Sequence, residues 1–228
     1  MADGDIGGLS ATEAAARRLR QDIIAGDLPP SMRLRLRELV ERYGIGTTPL
    51  REALSRLVAE GFVLVESQRG FSVLPVSREH LLDVTSTRQV VECDALRLAI
   101  EHGDTAWEDQ IVTSLTLLKR EVQRREPLSA TWQDSYEVKH HDFHRALIAA
   151  CPLLALRDFC DELYVQTTRY RRVLKAALTD WSRAIEVHED LAEATLSRDP
   201  VIALAAMRRH IGSTAEVVAP ALFGQAKA

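Results

Sequence analysis

Apolar positions recur at helical spacing through most of the chain, and the places where that spacing breaks divide it into elements. Over residues 11–25 (ATEAAARRLRQDIIA), Ala15, Leu19, Ile23 and Ile24 share one helical face, and Gly26 with Pro29-Pro30 stops the run. Residues 35–43 place Leu36, Leu39 and Val40 on one face and end at Gly44. After the turn GIGT, the segment TPLREALSRLVAEG aligns Leu50, Ala53, Leu54 and Leu57, with Thr48 expected as N-cap and Pro49 at the first helical position. The period then changes to two: FVLVES, QRG and FSVLPV read as two strands around a Gly-containing turn. Past Pro75 to Ser77 the helical period returns in six stretches, 78–102, 105–125, 129–150, 152–176, 180–197 and 199–219, with no strand signal. Short breaks at HGD, REP, Cys151-Pro152 and SRDP separate them, as in an antiparallel bundle. The pattern predicts a mostly α chain, an N-terminal winged helix-turn-helix followed by a six-helix bundle. In the first part the third helix would enter the DNA major groove, and the hairpin behind it would be the wing.

Proline restricts the residue before it and Ser77 can cap the helix that follows, so the boundary falls there. The expected division is a flexible N-terminus over 1–9, a DNA-binding domain over 10–76 and a helical domain for effector binding and dimerisation over 77–228. Composition agrees with two folded parts: 46% hydrophobic and 27% charged residues exclude a disordered or collagen-like chain. The longest apolar stretches, such as LIAA near Leu147, fall far short of the roughly 18 residues of a membrane span. MADGDIGGLS has two Asp and no basic or apolar signal region, so a cytoplasmic protein is expected. Cys93, Cys151 and Cys160 form no CxxC and cannot all pair; they read as small buried hydrophobes.

The net charge of −4 argues against a protein that simply coats nucleic acid, but the charge is uneven. Residues 17–56 hold nine Arg and five acids, whereas 78–228 hold 19 basic and 23 acidic side chains. A DNA-facing surface therefore belongs in the first part. Arg69, beside the wing tip, could reach a minor groove, and Arg33, Arg35 and Arg56 read as solvated or as general phosphate attraction.

Histidines carry the chemistry of the second part. His140 and His144 are i and i+4, so their rings lie on one face, and His188 and His210 sit mid-helix among Ile185, Leu191, Met207 and Ile211. Imidazoles from three helices aimed into one bundle would make a nitrogen site suited to zinc, nickel, copper or iron rather than calcium or magnesium. Core histidines satisfied by hydrogen bonds are the other reading. By helical phase His141 and Asp142 point away from the pair, and His80 and His102 read as surface residues near helix ends.

Two resemblances sharpen this. RLRELVERYGIGTTPLREALSRLVAEGFVLVESQRGFSVLPVS, with TPLREAL, the following L..EG and RGF.V, resembles the N-terminal domain of GntR-family transcriptional regulators. By position, the resemblance implies DNA contacts at Arg37, Thr47, Thr48, Arg51 and Gly70, with Arg51 the leading base or backbone contact and Arg37 a phosphate contact. Where many relatives have Arg before the Thr-Pro, this chain has Thr47, which cannot make the bidentate contact of Arg to guanine, so a different operator is expected.

RQVVECDALRLA, HHDFHRALIAACPLL and HEDLAEATLSRDPVIALAAMRRHI resemble the FCD effector domain of the FadR subfamily, and six helices point to its VanR-like branch. That resemblance implies a divalent metal held at His140, His144, His188 and His210, with His140 standing where an Asp is usual. The replacement softens the site toward zinc first, then nickel or copper. It further implies a small carboxylate effector. Candidates to hold it are Arg88, which could instead pair with Glu92, and Tyr136, Tyr164, Thr168 and Arg172. The function so implied is a homodimeric repressor of a catabolic or transport operon, bound to a palindromic double-stranded operator. The alternatives are a His cluster that is structural or senses metal directly, and a metal-dependent hydrolase with a DNA-binding domain, for which no HExxH or paired carboxylates are present.

Overall fold

The computed structural model describes residues 10–66, 70–124, 130–173 and 181–224. The flexible N-terminus expected over 1–9, and Arg69, lie outside them. Contacts divide the chain into two compact units, Met1–Val76 and Ser77–Ala228.

In the first unit α1 (Ala11–Ala25) opens with a capping box, Ser10 accepting from the Glu13 N–H while the Glu13 carboxylate accepts from the Ser10 N–H. Its buried Ala15, Leu19 and Ile23 face α3. Helix α2 (Leu36–Tyr43) ends at Gly44, whose φ of 66° turns the chain sharply into the next helix. Helix α3 (Thr47–Ala59) buries Leu50, Ala53, Leu54 and Leu57 completely, the face the spacing predicts. Its start differs from expectation: Gly46 is the N-cap, Thr48 is the second helical residue and Pro49 the third. The first hydrogen bond of the helix runs from Leu50 N–H to Gly46 C=O, so a proline at 49 removes no bonded donor and does not have to begin the helix.

Strands β2 (Val63–Glu66) and β3 (Gly70–Val73) form the expected hairpin, with Val63 opposite Val73 and Glu66 opposite Gly70. A two-residue strand, β1 (Arg33–Leu34), pairs with the other edge of β3, giving the order β1-β3-β2. Its pairing is long-range and leaves no periodic trace in two residues.

Among the described residues the second unit contains helices and no strand. They are α4 (Arg78–His102), α5 (Thr105–Gln123), α6 (Ala130–Leu147), α7 (Leu154–Val173), α8 (Trp181–Leu196) and α9 (Pro200–Phe223). Polar caps set several starts: Ser77 accepts from His80 N–H, Asp104 from Trp107 N–H and Asp199 from Val201 and Ile202 N–H, with Pro200 at the first position of α9. Helix α9 continues through Pro220 to Phe223, beyond the predicted end at 219, because a proline in the last turns costs a single donor. Packing contacts run α4 to α7, α7 to α6, α6 to α5, α5 to α8, α8 to α9 and α9 back to α4, a closed ring of six helices. Phe143, Leu96, Ile111, Leu118, Leu147 and Met207 are in its apolar core.

Candidate functional site

In the first unit, full burial of the apolar face of α3 turns its opposite face outward, leaving Thr47, Thr48 and Arg51 exposed. Arg37 is exposed on α2, 3.3 Å from Glu41, and Gly70 is exposed at the start of β3. Arg56 instead shares Glu60 with Arg20.

In the second unit the described residues place polar side chains inside the ring of helices. Helix α6 contributes His140 and His144, α8 His188 and α9 His210; all four are buried, and their ligand atoms lie within 4.8 Å of one another. Nε2 of His144 and Nε2 of His210 are 3.0 Å apart. Burial first, and neighbouring imidazoles and guanidiniums next, hold His140, His144 and His210 well below the ordinary histidine pKa, so these rings are neutral and their lone pairs are available.

Tyr164 on α7 ties the site together. Its hydroxyl is 2.6 Å from His140 Nδ1, its ring stacks on His141 at 4.2 Å, and the guanidiniums of Arg88 and Arg171 stand 5.3 and 4.9 Å from its centroid. Tyr136 stacks on His140, with centroids 5.4 Å apart. Thr168 donates to the Tyr164 carbonyl and accepts from Arg171 Nη2 at 2.8 Å.

The buried guanidiniums of Arg88 and Arg171 are each compensated. Arg88 donates to Glu92 at 2.5 and 3.2 Å, the i, i+4 pair open from the sequence, and Glu92 Oε2 also lies 3.7 Å from His144 Nδ1. Arg171 donates to both carboxylate oxygens of Glu137, at 3.2 and 2.7 Å; burial opposes its charge most strongly, but Glu137 together with Tyr164 and Tyr136 outweighs it and raises the pKa. Arg171 and Glu137 were not among the residues the sequence reading selected. Tyr164, Thr168 and Arg171 fall at i, i+4 and i+7, a spacing that could have found the arginine. Arg172, the residue expected, turns to Asp134 at 2.5 Å.

The remaining polar candidates lie outside the cluster. His141 bonds Asp161 at 3.0 Å, and Asp142 is exposed, 3.9 Å from Lys139. His102 is exposed as expected. His80 is half-buried and differs from the surface residue expected, its Nδ1 lying 2.6 Å from the Tyr170 hydroxyl. A cavity of about 970 Å³, bordered by Trp107, Lys139, Arg145 and Arg157, lies elsewhere in this unit, and none of the four imidazoles lines it.

The four histidines fit a transition-metal ion. Neutral imidazoles from three helices bring their ligand atoms within 4.8 Å of one another, and Nε2 of His144 and Nε2 of His210, at 3.0 Å, are close enough to bind one ion. Calcium and magnesium prefer oxygen donors, so this all-nitrogen set matches zinc, nickel or copper. The Tyr164 hydroxyl at His140 and the Glu92 carboxylate near His144 are the outer partners that orient ligating imidazoles.

Residues 11–73 match the bacterial regulatory proteins of the gntR family, and residues 83–213 match the FCD domain. The uncharacterized HTH-type transcriptional regulator BphR of Paraburkholderia xenovorans (strain LB400) is 38% identical over 92% of this chain and 85% of its own length. The HTH-type transcriptional repressor GlaR of Escherichia coli (strain K12) is 33% identical over 91% of this chain and 96% of its own. Among solved structures, E. coli McbR/YncC superposes with a TM-score of 0.77 over 92% of this chain and 98% of that chain; at 22% identity the likeness shows the fold. These families and relatives are transcriptional regulators, not enzymes, which removes the hydrolase alternative.

Proposed function

Because the chain belongs to the gntR family of bacterial regulatory proteins, with an FCD domain after its DNA-binding domain, we propose that it is a cytoplasmic, homodimeric repressor. In this reading it senses a small organic acid at a four-histidine metal centre. Residues 10–76 bind a palindromic operator, and residues 77–228 bind the effector and pair the protomers. The observation that carries the reading is the convergence of His140, His144, His188 and His210 beside a buried Tyr164–Arg171–Thr168 group. Similarity to a named repressor supports the direction of regulation.

At the operator, Arg51, Thr47 and Thr48 meet base edges or backbone, Arg37 contacts phosphate, and Gly70 lets the wing approach closely. In the second unit His140, His144, His188 and His210 would hold zinc, nickel or copper, which supplies a Lewis-acidic centre for a carboxylate. Arg171 and Thr168 orient the acid's far end, with Tyr136 and Tyr164 as apolar walls; Arg88 keeps Glu92 turned toward His144. The same helix α7 carries Tyr170, one of whose neighbours is His80 in the first turn of α4. A shift of α7 on effector binding therefore reaches the start of α4, next to the boundary at Ser77, and changes the spacing of the two recognition helices.

One observation favours a second reading, in which the metal is itself the signal: Arg88 and Arg171 already have carboxylate partners, so these two charges balance without an anion. Affinity for a duplex selected by the protein from a random pool separates the two, measured on chelator-treated protein, then with metal, then with metal and a panel of small carboxylates. An affinity change that requires both metal and an acid supports the sensor of organic acids. A change with metal alone moves the assignment to the second reading, and no change under either condition overturns both.

A further inference from the structure

In the first unit a cavity of about 580 Å³ opens between β1, α2, α3 and the wing, bordered by Arg33, Arg35, Arg51, Gly70 and Phe71. Three arginines of this unit border that one cavity. Arg51 has no carboxylate partner among the described residues. Arg35 pairs with Glu38, but the two side chains are 65% and 52% exposed, and such an i, i+3 pair yields readily to a stronger anion. The pairing of Arg33 with Ser72 and Leu34 with Phe71 is what carries the two flanking arginines to the wing. On the wing side, Gly70 has a φ of 89° and no atom within 4 Å of where a side chain would begin, so the backbone is open to an approaching group.

We propose that Arg33, Arg35 and Arg51, with the strand at Gly70, form a seat for one phosphate of the DNA backbone. The inference rests on the DNA-binding reading of this unit and adds two residues outside the recognition helix and the wing. Guanidinium forks match phosphate geometry, and a phosphate held there fixes the protein's register on the duplex without reading sequence. Thr47, lacking a guanidinium, shifts the balance of affinity toward such backbone contacts.

The test is the salt dependence of binding to a short fluorescent duplex of arbitrary sequence, for the full-length protein and two double variants. Removing one phosphate contact per protomer with Arg33→Ala/Arg35→Ala should flatten the slope of log affinity against log salt by about 0.9 per contact, and weaken binding in moderate salt by roughly tenfold or more. Arg33→Lys/Arg35→Lys, which keeps the charge, should keep the slope. A wild-type slope in the Ala variant overturns the seat. Equal weakening in both variants at an unchanged slope overturns it too, since the side chains would then be supporting the wing. Wild-type protein that does not bind the duplex overturns the DNA-binding reading, and the seat falls with it.

Discussion

In the N-terminal unit the arginines lie at the surface and Ser72 is the sole buried polar side chain among the described residues, whereas the C-terminal unit buries Arg88, Glu92, Arg169, Arg171 and four histidines. A surface that will meet DNA keeps its cations hydrated until phosphate replaces the water, and its rigidity comes from an apolar scaffold such as Leu50, Leu54 and Leu57. The interior of the C-terminal unit has removed that water in advance. Each charge there needs a partner of its own, which is why Arg88 comes with Glu92 and Arg171 with Glu137. Substitutions in the two units should therefore fail in different ways, the first in affinity and the second in stability.

The largest effect expected is on stability. Glu92→Ala leaves the Arg88 guanidinium buried without its carboxylate and should cost about 3–5 kcal/mol in urea unfolding. Affinity for DNA at low temperature should change little. A loss below about 1 kcal/mol, the value of an exposed pair, would break the contrast between the units. Arg51→Ala should do the reverse, weakening operator binding by about 1–3 kcal/mol per contact with an unaltered unfolding midpoint. Unchanged affinity would remove α3 from the role of recognition helix. The smallest effect should come from Tyr170→Phe, which removes the hydroxyl beside His80 and should cost about 1 kcal/mol in stability. If α7 relays the effector signal, that variant also responds less to effector than wild type does; an undiminished response would sharpen the comparison by confining the signal to another helix.

Much of this was legible in the sequence because its signals are local. Ser77, Asp104 and Asp199-Pro200 mark three helix starts, and the burial of Leu50, Ala53, Leu54 and Leu57 follows from their spacing alone. The four histidines were legible for the same reason, each being a polar residue on an apolar helical face. What was not legible depended on distant partners. Strand β1 exists because β3, some forty residues on, offers it an edge. His80 reads as a surface residue until Tyr170 is placed against it. Arg171 and Arg172 are neighbours on α7, so periodicity leaves both near the inner face, and their partners Glu137 and Asp134 decide which of them turns inward. The start of α3 slipped by a related ambiguity, since Gly46 and Thr48 are both acceptable caps and only the backbone selects between them.

The most direct test of the central claim, that four buried imidazoles hold one transition-metal ion, is elemental analysis by mass spectrometry of untagged protein purified without added metal. A His188→Ala/His210→Ala variant that still folds should be measured alongside it. About one zinc, nickel or copper per chain in the wild type and none in the variant is the predicted result. Wild-type protein free of these metals, or a variant that retains them in full, would contradict it.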